Sequence, residues 1–486
     1  MRVVHLAAEV APYAKTGGLG DVLGALPAAS ARAGIETTVV LPGYREALRV
    51  AGTTRRLGAV SALVSSRTEQ ASVLALDDAA VPTHVIDAPH YFDRSGLYGE
   101  DGVDYPDSAE RFVFFCRAAL AWLNGWEHPP DVVHVHDWQA ALVPAFLVAG
   151  RALYPALART HTVTTVHNLA YQGRFWEADW HLLNLDRRLF AIDGLEFHGY
   201  INFLKAGLVF ADAVTTVSPR YAEEIRSPAF GEGLDGVLRL RAPDLHGILN
   251  GVDYTVWDPA ADPLIASTYD RRDRSGKARC KAALQHEMGL EVRPDAPLLA
   301  VISRLAVQKG IDLVVEVVSE LLATSDVQLV VLGSGDPQLE GALLRVREQA
   351  PRRVALRLGF DDGLAHRIEA GADMFLMPSR YEPCGLSQLY SLRYGTVPIV
   401  HATGGLADTV RDYDPAADAG TGFAFAPLRR ELFLTAVRRA LTTWRDPARW
   451  RGIVDRGMAA DFSWDASAVR YRTLYEALLA RAPRTA

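Results

Sequence analysis

Short apolar runs alternate with helix-like stretches along almost the whole of this chain, the pattern of parallel sheets covered by helices on both faces. A strand buried on both sides keeps no polar face, so it reads as a continuous apolar run. In the first half the candidates are Val3–Ala8, Thr37–Leu41, Val132–His136, Thr162–Val166 and Ala213–Val217; in the second they are Leu298–Ile302, Gln328–Leu332, Arg353–Leu358, Met374–Met377 and Val397–Val400. At 486 residues the chain is too long for one ordinary core, and each set suffices for its own doubly wound α/β domain. The most polar interval, Asp258 to Pro297, lies between the two sets and places the boundary near Asn250–Gly251. Residues 466–480, in the final segment 466–486, read as an amphipathic helix with Val469, Leu474, Leu478 and Leu479 on one side.

Apolar residues make up 49% and charged ones 22%, a globular composition. The net charge of −7 and the lack of any block of Lys or Arg argue against a nucleic-acid surface. The start has no signal-peptide pattern and no apolar run is long enough to span a bilayer, so a cytoplasmic protein without a membrane partner is expected. Cys116, Cys280 and Cys384 are too widely spaced for a CxxC metal site, and Cys116 reads as a buried, inert thiol.

A Gly-pair loop occurs twice, as Lys15-Thr16-Gly17-Gly18-Leu19-Gly20-Asp21 and as Thr403-Gly404-Gly405-Leu406-Ala407-Asp408. Each precedes a helix-like stretch, so each is expected to turn backbone N–H groups toward an anion. Ligands of open α/β sheets gather at the carboxyl ends of strands. There His136 and Asp137 end one strand and His167 and Asn168 another; they are either ligand groups or caps of the helices that follow. His134 and His136 share a strand face, but no third metal ligand is apparent in sequence, and a metal is not expected. In the second half, Arg304 and Lys309 stand five apart between a strand end and a helix start, which suits a diphosphate. Gly333-Ser334-Gly335 is a weaker turn of the same kind. Pro378-Ser379-Arg380-Tyr381-Glu382-Pro383-Cys384-Gly385-Leu386-Ser387-Gln388 follows a buried strand, and its Gly385-Leu386-Ser387 opens a helix whose free N–H groups would meet an anion.

Taken in order, Lys15-Thr16-Gly17-Gly18-Leu19, His167-Asn168, Asn250-Gly251-Val252-Asp253, Ser303-Arg304 with Gln308-Lys309-Gly310, Arg380 to Leu386 and Thr403 to Asp408 resemble bacterial glycogen synthase and plant starch synthase over nearly the whole chain. The resemblance implies the glycosyltransferase B architecture: two Rossmann-like domains facing across a cleft, residues 1–250 on the acceptor side and 251–465 on the donor side, with the C-terminal helix returning to the first. It implies transfer of glucose from ADP-glucose to the non-reducing 4-hydroxyl of glycogen or another α-1,4-glucan, with retention and without cofactor or metal. By position, Arg304 and Lys309 would hold the diphosphate, Glu382 would bind glucose hydroxyls and steady the cationic sugar, and His167 would contact the sugar near its 6-hydroxyl. Lys15, Gly18, Gly385, Leu386 and Ser387 would complete the donor cradle, with Cys384 packing beside it. Asn250 would add a sugar contact and Phe360 would stack on adenine. Asp21, Asp137 and Asn168 would lie on the acceptor or sugar side. Some related retaining transferases carry a second Glu eight positions after the first, where this chain has Tyr390. UDP-glucose or another nucleotide sugar as donor, and an inactive glucan-binding homologue, are the alternatives. An oxidoreductase is disfavoured because the first Gly loop lacks GxGxxG spacing.

Overall fold

A computed structural model describes residues 1–484, and the chain divides into two compact units, Met1–Gly251 with the chain from Trp464 onward, and Val252–Ser463. Among the described residues no helix is long and apolar enough to cross a membrane.

The first unit is built on a nine-stranded sheet in the order Leu245–Gly247, Ala213–Thr216, His161–Val166, Val132–His136, Arg2–Leu6, Glu36–Pro42, Thr83–Asp87, Arg67–Leu76, Thr54–Val64. Its first seven strands are parallel, and the order reverses around the central Arg2–Leu6. The other two form an antiparallel hairpin that lengthens the sheet, a departure from the all-parallel expectation. The hairpin alternates buried and exposed residues because only one face is covered, by the helix Ser108–Asn124.

The second unit holds six parallel strands, Val354–Leu358, Gln328–Gly333, Leu298–Ile302, Met374–Met377, Val397–His401 and Phe423–Phe425. In chain order they read 3-2-1-4-5-6, the doubly wound arrangement. Successive side chains of its central strand enter opposite cores: Leu299 and Val301 join one cluster, Leu298 and Ala300 the other. Two covered faces explain why the inner strands appear as apolar runs, whereas the edge strand Val354–Leu358 carries Arg357 and is exposed at its end.

The C-terminal helix, Trp464–Leu479, packs on the helix Gly18–Arg32 of the first unit, and Arg32 pairs with Asp465 at 2.7 Å. It starts two residues before the expected 466, and residues 485–486 lie outside the described chain. Its buried face also differs from the expected one: Val469 is 58% exposed, whereas Ala468, Tyr471, Leu474, Tyr475 and Leu478 are buried. The two tyrosines are the reason, since their rings supply the apolar stripe that the aliphatic residues alone do not trace. Tyr475 still satisfies its hydroxyl, 2.7 Å from His134 Nδ1.

Candidate active site

In the second unit the strand order reverses between Leu298–Ile302 and Met374–Met377, and the loops that follow these two strands carry Arg304, Lys309 and Glu382. The loops are laced together. Arg380 N–H donates to the Gln308 carbonyl at 2.8 Å, and Gln308 Nε2 donates to the Tyr381 carbonyl at 3.1 Å. Arg380 forks onto Asp312, with bonds of 2.9 and 2.7 Å. Gly310, at φ +71°, approaches Pro378 so closely that a Cβ would strike its carbonyl oxygen. This bracing brings Lys309 Nζ to 2.6 Å from Glu382 Oε2, which also accepts from Ser379 Oγ at 3.0 Å. Glu382 is buried, Lys309 is partly covered, and Arg304 is exposed with one guanidinium nitrogen 3.1 Å from Gln308 Oε1. The site therefore joins a buried carboxylate to one sheltered cation, with a second cation at its edge.

Gly385 has φ +73°, and the helix Ser387–Tyr394 follows, its first-turn amides lacking intrahelical acceptors. Cys384 is buried beside this turn. Tyr390 lies flat on Trp257, with centroids 3.9 Å apart. Phe360 is 82% exposed after Gly359, whose N–H donates to the Gly333 carbonyl at 3.2 Å. It is thus an uncovered ring at the carboxyl end of the third strand.

The two Gly loops do not share the expected role. In the first, the N–H groups of Thr16 and Gly17 donate to Glu9 Oε2 at 2.7 and 3.2 Å, and Thr16 Oγ1 and Tyr98 OH donate to Glu9 Oε1 at 2.7 and 2.8 Å. The protein's own carboxylate thus takes up the amides of Thr16 and Gly17, while the Gly18 N–H, the one expected to face the donor, is not among its donors. In the second, Gly404 and Gly405 lie against the Glu382–Cys384 turn: a Cβ on either would strike the carbonyl of Glu382 or Cys384, and Gly405 N–H donates to the Glu382 carbonyl at 3.1 Å. These glycines permit backbone contact and hold Glu382 in place.

The remaining predicted residues of the first unit lie beyond the carboxyl ends of its parallel strands, Asn250 at the edge of the sheet. Lys15 Nζ pairs with Asp21 Oδ1 at 2.6 Å, and Gly18 opens the helix behind them. Asp137 has φ +54°, which turns its carboxylate to accept the His167 N–H at 2.8 Å. Burial pushes the Asp137 carboxyl up to about 7. Asn168 closes a local turn by accepting the Ala170 N–H at 3.1 Å, and the buried Asn250 Oδ1 has no partner among the described residues. His136 does not reach a ligand position: it is fully buried, between His5 and His167. Cys116 is buried, with its thiol pushed up to about 12, as its apolar helix suggested.

Sequence reasoning missed Glu9, Tyr98, Ser379 and His5. Glu9 offered a faint signal, a carboxylate just beyond an apolar strand. His5 offered none, because its partners are 129 and 131 residues away in the chain.

A family model described as the starch synthase catalytic domain matches residues 2–240, and one described as glycosyl transferases group 1 matches 287–452. A glycogen synthase of Anaeromyxobacter dehalogenans (strain 2CP-C) is 53% identical over 480 residues, covering 98% of this chain and 100% of that protein. One from Thermotoga maritima is 44% identical over 494 residues, covering 100% of each. The catalytic domain of starch synthase IV from Arabidopsis thaliana, solved with ADP and acarbose bound, superposes with a TM-score of 0.90 at 34% identity over 99% of each chain. A sucrose-phosphate synthase from Thermosynechococcus elongatus shares the fold, with a TM-score of 0.60 at 19% identity, over 99% of this chain and 100% of that one. With the doubly wound sheets and the ordered motifs, these relatives place the chain in the bacterial glycogen synthase and plant starch synthase family, glycosyltransferases of the glycosyltransferase B fold.

Proposed function

We propose that this family member transfers glucose from ADP-glucose to the non-reducing 4-hydroxyl of an α-1,4-glucan with retention at the anomeric carbon, and that the second unit holds the donor. The meeting of Lys309, Glu382 and Arg304 where the strand order reverses carries the reading. As the bond from C1 to the diphosphate oxygen breaks, negative charge grows on the leaving group, and Arg304 and Lys309 supply the compensating charge. The glucan 4-oxygen bonds to C1 on the same face, and its hydroxyl proton passes to the departing diphosphate oxygen. ADP leaves, and the glucan is one residue longer. Glu382 binds glucose hydroxyls and stabilises the positive character of the sugar, while the amides of Gly385, Leu386 and Ser387 face phosphate oxygens. Phe360 stacks on adenine, Cys384 packs the pocket wall, and Asn250 contacts the sugar. In the first unit His167 contacts the transferred sugar, with Asp137, Asn168 and Asp21 on the sugar or acceptor side. This reading needs no cofactor.

The ADP-bound starch synthase structure supports adenine over uracil as the donor base. Initial rates of nucleotide release with glycogen, compared between ADP-glucose and UDP-glucose, test it. ADP-glucose is expected to be the better donor by kcat/KM; a preference for UDP-glucose contradicts the donor assignment.

A further inference from the structure

Three imidazoles run in series through the first unit. His5 lies on Arg2–Leu6, His136 ends the adjoining Val132–His136, and His167 follows the next strand, His161–Val166. His5 Nδ1 is 3.0 Å from His136 Nε2, and His136 Nδ1 is 3.0 Å from His167 Nε2.

A neutral imidazole has one N–H and one lone pair, so a bond at one nitrogen decides what the other offers. Burial keeps these rings neutral, pushing His5 and His167 down to about 3 and His136 well below its ordinary value. With one proton per ring, the two hydrogen bonds must run in the same direction. If they ran toward His5, that residue would be left with a proton on Nε2, an atom fully buried and without a partner among the described residues. A buried N–H without an acceptor is rarer and more destabilising than a bare lone pair. The bonds therefore run outward. His5 Nδ1–H donates to His136 Nε2, His136 Nδ1–H donates to His167 Nε2, and His167 carries its proton on Nδ1.

We propose that His5 and His136 are positioning residues that hold His167 as its Nδ1–H tautomer, so that its free nitrogen donates a hydrogen bond to a sugar oxygen. The tautomer follows from the geometry of the first unit; only the sugar contact rests on the function proposed above. His5, His134 and His136 also bring one nitrogen each within 4.8 Å of one another, spacing from which a metal set could form. However, the two nitrogens of His134 lie 2.7 Å from Tyr475 OH and 2.5 Å from Thr165 Oγ1, and the 3.0 Å between His5 and His136 is a hydrogen-bond length.

Long-range nitrogen–proton spectra of the full-length protein labelled with ¹⁵N-histidine test the tautomer without substrate, with His167→Asn identifying the His167 signals. A protonated Nδ1 and a bare Nε2 are expected at His167. A protonated Nε2, or His5 and His136 signals that move on dialysis against a chelator, overturns the proposal. In His136→Phe a protonated Nε2 population is expected to appear at His167, and His136→Asn, whose amide nitrogen stands near the place of Nδ1, is expected to suppress it. A tautomer unchanged in His136→Phe removes the positioning role. For the sugar contact, His167→Asn keeps a donor near Nδ1 and His167→Gln one near Nε2, so the Asn variant is expected to retain about tenfold more kcat at similar glucan KM. Equal losses in the two variants, with the Nδ1 tautomer intact, overturn the sugar contact alone. Absence of transfer from any nucleotide sugar by the unmodified enzyme would be a failure of the proposed function, and the spectra would stand.

Discussion

The two Gly loops carry nearly the same residues after a parallel strand and before a helix, yet one is tied to a carboxylate of its own unit and the other is a spacer. Around Gly17 the backbone is extended, at φ −162°, with open space where a Cβ would stand, and the amides turn inward to the Glu9 carboxylate. Around Gly404 and Gly405 no Cβ fits, because the Glu382–Cys384 turn presses against the loop. The lesson is that a Gly pair before a helix reports freedom of the backbone and leaves its use open. Glu9 and Glu382, both outside the loops, decide what each one does.

Substitution at the second loop sharpens the comparison most. Gly405→Ala is expected to lower stability by about 2 kcal/mol or more and to abolish most transfer by displacing Glu382, as read by urea unfolding and ADP release. Glu9→Ala attacks the first loop from below. It strands the donors of Thr16, Gly17 and Tyr98, and a stability loss of about 2–3 kcal/mol is expected, with Glu9→Gln milder because it keeps one acceptor oxygen.

A pH series probes the wall behind His167. The folded-state value of Asp137 is raised to about 7 from an ordinary 3.8, so the folded protein holds this proton after the unfolded chain has lost it. Its contribution to stability therefore falls as pH rises from about 4 to about 7 and is flat above. Asp137→Asn removes that slope. The melting temperature of the variant relative to the parent is expected to climb across this window, reaching about 1–3 kcal/mol equivalent by pH 8. A constant difference from pH 4 to 8 would show that the carboxyl titrates normally. Gly17→Ala is expected to have the smallest effect, within about 0.5 kcal/mol in the same melts. A large loss there would erase the distinction between the loops.

Much of this architecture was legible because strands covered on both faces must be apolar runs. All ten strands proposed from sequence have counterparts in the structure, with ends moved by at most two residues. The hairpin Thr54–Val64 and Arg67–Leu76 escaped because its buried positions include Ala62, Ala71 and Ala75, which mark no apolar stripe, while Leu245–Gly247 and Phe423–Phe425 are only three residues long. Thr83–Asp87 is short and carries Thr, His and Asp beside its two apolar residues. At the site, Arg304 and Lys309 could be singled out because they follow a strand, whereas the role of Glu382 came only with the family resemblance. Their joining through Gln308, Ser379 and Gly310 could not be read, since that depends on which loops become neighbours. The same limit hid the series of histidines, whose members come from three strands brought side by side only by folding.

The central claim is that the paired Lys309 and Glu382 sustain glucose transfer. Single-turnover transfer from ADP-glucose to a maltooligosaccharide, followed in the parent, Lys309→Ala and Glu382→Gln proteins with folding checked by circular dichroism, tests it most directly. The account predicts a fall of about 10²–10³ in the chemical step for each folded variant; a rate within about threefold of the parent for either would contradict it.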